Sequence, residues 1–249
     1  MIDVHCHLEQ KDFDNDREEL IKELKKELKA VITSCAHPRD FETTINIAKA
    51  NKGFIFPSFG FHPEFAKEKS DEYKDLIKQN QKECVAIGEI GLDYYYARTL
   101  EEQNLQKEVF REWLSFAKEL KKPVTIHIRD AFEDALRILD SEDLQRVHLH
   151  MFGGYKFTDL VKEKKYFVSL NTMLLKSKSY KRVARDIPIE QIMLETDSPW
   201  LGLNNKRNDP RSVKIVAEEI AKIKKIDLKV VEEKTDFNAI KFFNLNLRQ

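Results

Sequence analysis

Apolar positions along this chain of 249 residues follow two alternating rhythms. The first is a short run rich in β-branched and aromatic residues. Such runs occur at 2–7, 30–35, 53–60, 84–88, 123–128, 146–151, 166–170 and 192–197, and they read as strands. The second is a longer segment in which apolar residues recur every three or four positions among charges, as Leu20, Ile21, Leu24 and Leu28 do within 14–29. The same helical rhythm covers 41–51, 71–82, 100–120, 131–139, 157–164, 178–186, 210–224 and 228–245. Strands separated by amphipathic helices pair in parallel through right-handed crossovers. About eight such units in roughly 250 residues is the size of a closed (β/α)8 TIM barrel, so the expected fold is a single α/β domain over residues 1–249. An open doubly wound sheet is the competitor, but it needs a glycine-rich phosphate loop after the first strand. That turn carries His5-Cys6-His7 instead. No linker, low-complexity run or internal repeat interrupts the alternation.

A hydrophobic fraction of 41% is enough for one large core. Lys and Arg number 43 and so do Asp and Glu, which leaves no global field to draw the protein to nucleic acid or an acidic membrane. An anionic substrate must therefore be held locally. No charged and then apolar leader opens the chain, and no apolar run approaches about 18 residues, so a cytoplasmic protein without membrane contact is expected. Cys6, Cys35 and Cys84 are odd in number and lie in strand-like runs, which suits reduced, buried thiols.

In a barrel of this kind chemistry gathers at the C-terminal strand ends. His5 and His7 share one face of the first strand because side chains alternate. Glu89 stands at the end of the fourth strand, His127 the fifth, His150 the sixth and Asp197 the eighth. Each has an ordinary structural explanation alone. Together, imidazoles and carboxylates at one mouth supply ligands for two divalent ions, Zn, Mn, Fe or, more weakly, Mg. By the same alternation Asp3, His148 and Glu195 point inward one layer deeper, either orienting the imidazoles or forming a self-satisfied polar layer. Cys6 faces the helices.

Several stretches resemble the TatD family of metal-dependent deoxyribonucleases, a branch of the amidohydrolase-like TIM barrels. They are DVHCHL at 3–8, GFHP at 60–63, GEIGLDYY at 88–95, PVTIHIRDA at 123–131, HMFGG at 150–154 and LETDSPWL at 194–201, in the family's order. The resemblance implies a dinuclear site bridged by Glu89, with His5, His7 and Asp197 on one ion and His127 and His150 on the other. It further implies hydrolysis of DNA phosphodiester bonds with Asp197 accepting the proton of the attacking water. The chain departs from the family's pattern at Glu64, Met151, Gly153 and loosely over 202–210. None of these removes an expected ligand; all bear on the substrate pocket.

Arg129 shares the parity of His127, and its fork suits a phosphate oxygen, the alternative being a salt bridge with Asp130 or Glu133. His62 is a candidate contact to phosphate or to a further ion. Phe61, Tyr94, Tyr95, Phe152 and Trp200 lie near the mouth, for stacking bases or for packing. Neutral net charge favours single-stranded DNA or duplex ends over long duplexes, and a monomer is expected. The alternatives are an ester or amide hydrolase, such as an aminoacyl-tRNA deacylase, and a barrel that binds without catalysis.

Overall fold

A computed structural model describes residues 1–144 and 146–247. Eight strands, β1 (Ile2–Cys6), β2 (Ala30–Cys35), β3 (Ile55–Phe59), β4 (Ala86–Asp93), β5 (Val124–Arg129), β6 (Val147–Leu149), β7 (Phe167–Leu170) and β8 (Ile192–Leu194), follow one another in chain order. Every neighbouring pair is parallel. The crossovers are α1 (Arg17–Glu27), α2 (Phe41–Ala50), α3 (Asp71–Gln79), α4 (Leu100–Glu119), α5 (Phe132–Ser141), α6 (Thr158–Glu163), α7 (Met173–Lys176) and α8 (Lys178–Asp186). α9 (Val213–Lys224) and α10 (Leu228–Phe243) finish the chain. The eightfold alternation of the sequence is thus a TIM barrel. Among the described residues no helix is long and apolar enough to cross a membrane.

Helix boundaries follow local chemistry. α4 starts where Thr99 accepts from the Glu102 N–H and the Glu102 carboxylate accepts from the Thr99 N–H, a reciprocal cap that satisfies two orphan donors. Inside it, Phe110, Trp113, Leu114 and Ala117 are buried on one stripe against β4. The Trp113 ring stacks on Phe61 with centroids 5.8 Å apart. At the other end of the barrel Phe242 and Phe243 of α10 pack with Ile2, Val4, Ile32 and Met193. Each large side chain so buried contributes about 1.5–3 kcal/mol.

The ring is closed by backbone bonds and one side chain. Past β8 the chain turns to β1, and the Asp197 N–H donates to the His5 carbonyl at 2.9 Å. Buried Asp3 clasps this seam: Oδ1 accepts from the backbone N–H groups of His5 and Thr196, both at 3.1 Å, and Oδ2 from the Thr196 hydroxyl at 2.6 Å. Asp3 therefore touches no imidazole, correcting one of the two roles open to it. A register shift lies between Asp3 and Cys6, so strict alternation does not run through β1.

Three other strand ends differ from expectation. β4 runs on to Asp93, with a register shift between Ile87 and Ile90, so Glu89 stands inside the strand at its irregularity. β6 and β8 stop at Leu149 and Leu194, leaving His150 and Asp197 beyond the ladder. Asp197 itself is left-handed, with φ 56°. α7 went unread because Met173–Lys176 is too short to show a period. Two glycines let strands approach around Glu89. A Cβ on Gly60 would stand 2.3 Å from the Gly88 carbonyl carbon, and one on Gly91, at φ 149°, would stand 2.0 Å from the His127 carbonyl oxygen.

Replacing Asp3 by Ala strands three buried donors at the seam. Asp3→Ala is expected to cost at least about 2 kcal/mol, or about 4–8 °C in thermal midpoint for a chain of this size. Differential scanning calorimetry measures it; an unchanged midpoint would leave the seam closed by backbone bonds alone.

Candidate metal centre

The strand ends bring His7, His127, His150, Glu89 and Asp197 to the wall of one cavity of about 770 Å³, which reaches out between the mouth loops, with His5 fully buried behind them. Glu89 is its centre, and its two oxygens face different neighbours. Oε1 lies 2.7 Å from His127 Nδ1 and 3.1 Å from His150 Nε2. Oε2 lies 3.6 Å from His5 Nε2 and 3.9 Å from His7 Nε2. Those two nitrogens stand 3.2 Å apart and face Asp197 Oδ1 at 3.7 and 3.5 Å. All six sequence-derived ligand candidates therefore meet, although Asp197 gets there through its left-handed turn rather than through strand parity.

Behind most imidazoles stands another carboxylate. His7 Nδ1 meets Glu9 Oε1 at 3.2 Å, His150 Nδ1 meets Glu195 Oε2 at 3.3 Å, and His127 Nε2 meets Asp93 Oδ2 at 2.9 Å. A carboxylate can only accept, so it draws each ring's proton to the far nitrogen and leaves the near nitrogen as a lone pair aimed at the cavity. Glu9 is itself fixed by the Thr33 hydroxyl at 2.8 Å, and Glu195 by Ser169 at 2.5 Å and Asn171 at 2.9 Å. Of the three inward residues read from alternation, only Glu195 holds a ligand candidate. His148 bonds to Thr125 and Ser169 in the layer below.

Glu9 and Asp93 were missed, yet the signal was present. Glu9 continues the every-second-residue series of His5 and His7, and Asp93 stands four residues beyond Glu89. His5 is the exception: among the described residues its buried Nδ1 has no partner, and its ring stacks on His150 at 4.0 Å.

Lone pairs converging on carboxylate oxygens repel unless positive charge lies between them. Without a cation, protons on the rings supply that charge. Burial opposes charge on His7 and His150, yet Asp197 and Glu9 raise the first well above its ordinary value, and Glu195 and Glu89 raise the second. Burial likewise opposes ionisation of Glu89, but the His150, His127 and His5 imidazoles hold it well below the usual carboxylate range. The donor set of imidazole nitrogens and carboxylate oxygens fits divalent cations of the Zn or Mn type. Two triplets of candidate ligand atoms, His5/His7/Asp197 and His5/Glu89/His150, are compact enough to hold an ion, and because they share His5 its one inward lone pair can serve either but not both.

In a third triplet, His62/Asp93/His127, the hydrogen bond is between Asp93 and His127, and His62 stands beside them. Asp93 accepts from the far side of His127, and His62 Nδ1 accepts from the Glu64 N–H at 3.2 Å, which puts the His62 proton on Nε2. Burial, with the His127 ring beside it, pushes His62 down to about 3, so the ring is a neutral donor at the cavity wall. Arg129 is exposed at the same cavity, its guanidinium 3.9 Å from the Tyr95 ring centroid. It has no carboxylate partner among the described residues, so the salt bridge open to it in the sequence does not form. Trp200 stands edge-on to His7 at 4.8 Å and, like Tyr95, is nearly half exposed. Phe61 and Phe152 are core. Tyr94 is tied to Asp134 at 2.6 Å, away from the cavity.

Comparison with known proteins supplies a context for this geometry. A family model described as TatD related DNase matches residues 2–244. The chain is 33% identical to the deoxyribonuclease TATDN3 of Homo sapiens over 258 residues, covering 98% of this chain and 94% of that one. It is 34% identical to an uncharacterized metal-dependent hydrolase of Methanocaldococcus jannaschii over 256 residues, 99% of this chain and 98% of that one. Among solved structures, the TatD homologue YJJV of Escherichia coli superposes with a TM-score of 0.89 at 22% identity, covering 99% and 98% of the two chains. At that identity the likeness concerns the fold.

Glu9 gives this centre its sharpest test. Glu9→Gln keeps the shape behind His7 but loses the charge that orients the ring, and is expected to weaken divalent-cation affinity about 10–100-fold. Isothermal titration with Zn²⁺ or Mn²⁺ reads it; wild-type affinity would reduce Glu9 to packing.

Proposed function

The chain belongs to the TatD family of metal-dependent hydrolases, and from that premise we propose that it cleaves phosphodiester bonds in DNA, at single strands or duplex ends, using two divalent ions and an attacking water. The observation that carries this reading is the division of Glu89, one oxygen toward His127 and His150, the other toward His5 and His7. A carboxylate so placed is suited to bridging. In this assignment His5, His7 and Asp197 hold one ion, His127 and His150 the other, and Zn, Mn or Mg are the candidates. When bound, such a pair polarises the phosphodiester and lowers the pKa of water.

The protein's own groups do the rest. Asp197 borders the cavity with one oxygen toward His5 and His7, so it can accept the proton of the attacking water. Arg129, without a carboxylate partner among the described residues, offers two parallel donors to two oxygens of a phosphate. His62, with its proton on Nε2, donates a further hydrogen bond to the same anion. Glu9, Glu195 and Asp93 hold three of the four imidazoles in one tautomer, so little reorganisation is needed during reaction. Trp200, beside His7, is placed to stack on a base. We assign the whole chain to one catalytic barrel, acting as a monomer in a reducing cytoplasm that keeps its three buried cysteines as free thiols. Metal-dependent cleavage of end-labelled single-stranded DNA tests the reading, with an acyl-tRNA ester as the comparison substrate. Turnover of the ester alone would replace the nuclease by a deacylase.

Two substitutions separate bridging from proton transfer. Glu89→Ala should lower the content of both metals, whereas His150→Ala should chiefly empty one; elemental analysis finding two full equivalents in Glu89→Ala would end the bridging assignment. Asp197→Asn keeps the shape and one coordinating oxygen but is a far poorer base. It should lose at least about a hundredfold in turnover on single-stranded DNA at matched metal content. Near-normal turnover would make Asp197 a ligand only.

A further inference from the structure

The chain as a whole is electrically neutral, but its mouth is not uniform. No acidic residue lies between Glu163 and Asp186, a stretch that forms β7, α7 and α8. Most surface cations elsewhere are matched to carboxylates, and within this stretch Lys181 pairs with Glu219 at 3.2 Å and Arg185 with Asp186 at 2.7 Å. Lys176, Lys178 and Arg182 are different. All three are exposed, and none has a carboxylate partner among the described residues. The guanidinium of Arg182 is held in place over the Tyr155 ring, 4.8 Å from its centroid.

These cations sit at the cavity's lip. Ser177, Ser179 and Tyr180, interleaved with Lys176 and Lys178, line the cavity that contains Glu89 and Arg129. The Tyr180 hydroxyl donates to the Met151 carbonyl at 2.8 Å, which anchors the first turn of α8 to the loop after β6. The opposite lip, after β2 and β3, has the reverse character. There Arg39 faces Asp40 at 3.5 Å, His37 meets Glu68 at 3.0 Å, and Glu64 faces the cavity. The α7–α8 lip is thus the side of the opening where a run of the chain carries cations and no carboxylate.

We propose that Lys176, Lys178 and Arg182, with the hydroxyls of Ser177 and Ser179, form a phosphate-binding track along which a single-stranded nucleic acid runs out of the cavity across the α7–α8 lip. The inference rests on the hydrolase reading above and deepens it by giving the substrate a direction. The chemistry is that of a polyanion: consecutive phosphates need consecutive cations, and a neutral protein can supply them only where its cations are left unpaired.

The test is a charge reversal, Lys176→Glu/Lys178→Glu/Arg182→Glu. Its control is Lys25→Glu/Lys49→Glu/Lys82→Glu, an equal change at exposed lysines on α1, α2 and the α3–β4 connection that have no carboxylate partner among the described residues. The substrate is a labelled single-stranded oligonucleotide of about a dozen nucleotides, long enough to cover such a site. The lip variant should raise KM about tenfold or more, with the larger part of the loss in KM rather than kcat, and the penalty should be much smaller on a dinucleotide. The dependence of log affinity on log salt should flatten by about 2, close to 0.7 for each of three phosphate contacts. The control should behave as wild type, and circular dichroism should show both variants folded.

Binding is also read by fluorescence anisotropy in the Asp197→Asn background, independently of cleavage. Absent cleavage in the wild type, together with oligonucleotide binding that depends on the lip, would remove the nuclease reading and keep the track. Lip and control variants with equal affinity and equal salt slope would overturn the track, whatever the cleavage assay shows.

Discussion

A buried carboxylate facing several imidazoles is the constraint from which the rest of the centre follows. Glu89 is 4% exposed and cannot stay ionised there without positive charge close by. The imidazoles that surround it cannot all be protonated either, because burial and their own proximity oppose it. The resolution is a second ring of carboxylates, Glu9, Glu195 and Asp93, which turn three of the rings so that their lone pairs face inward. What remains is a pocket of donors demanding cations. Local charge balance, rather than any field of the whole molecule, makes the mouth a candidate metal site.

How much of this was legible depended on which regularity each residue obeyed. The alternation of apolar runs exposed the barrel because burial between a helix layer and a barrel wall repeats along the chain and leaves a period. His5, His7, Glu89, His127 and His150 were legible as members of strand ends, and Glu9 and Asp93 would have been had the same spacing been followed further. Asp3, His148 and Asp197 show the limit. Parity holds only while the ladder is regular, and the register shifts in β1 and β4 and the early end of β8 all fall beside the site. Asp3 was open to two roles, imidazole partner or member of a self-satisfied polar layer, and is the clasp of the β1–β8 seam, joining residues nearly two hundred positions apart.

The irregular strand ends and the chemistry share a cause. A regular ladder spaces side chains about 3.3 Å apart along a strand and aims successive ones to opposite faces. Several donors can converge on one point only if some strands shift register and others end early. The left-handed turn at Asp197 and the displaced register around Glu89 are such departures. The regular part of the barrel holds them by burying large side chains such as Trp113 and Phe110 outside it and Phe242 and Phe243 at its far end.

The close approach at Gly60 and Gly91 bears on how this protein can change over generations. Neither position carries a reactive group, yet a single methyl at either would meet main-chain atoms at 2.3 or 2.0 Å and would have to displace the strand that bears Glu89 or His127. Substitution at these two chemically inert positions should therefore disturb the centre as much as substitution of a candidate ligand. Variation that alters what the enzyme accepts is left to the loops: lineages can diversify at the rim while the floor beneath it stays frozen.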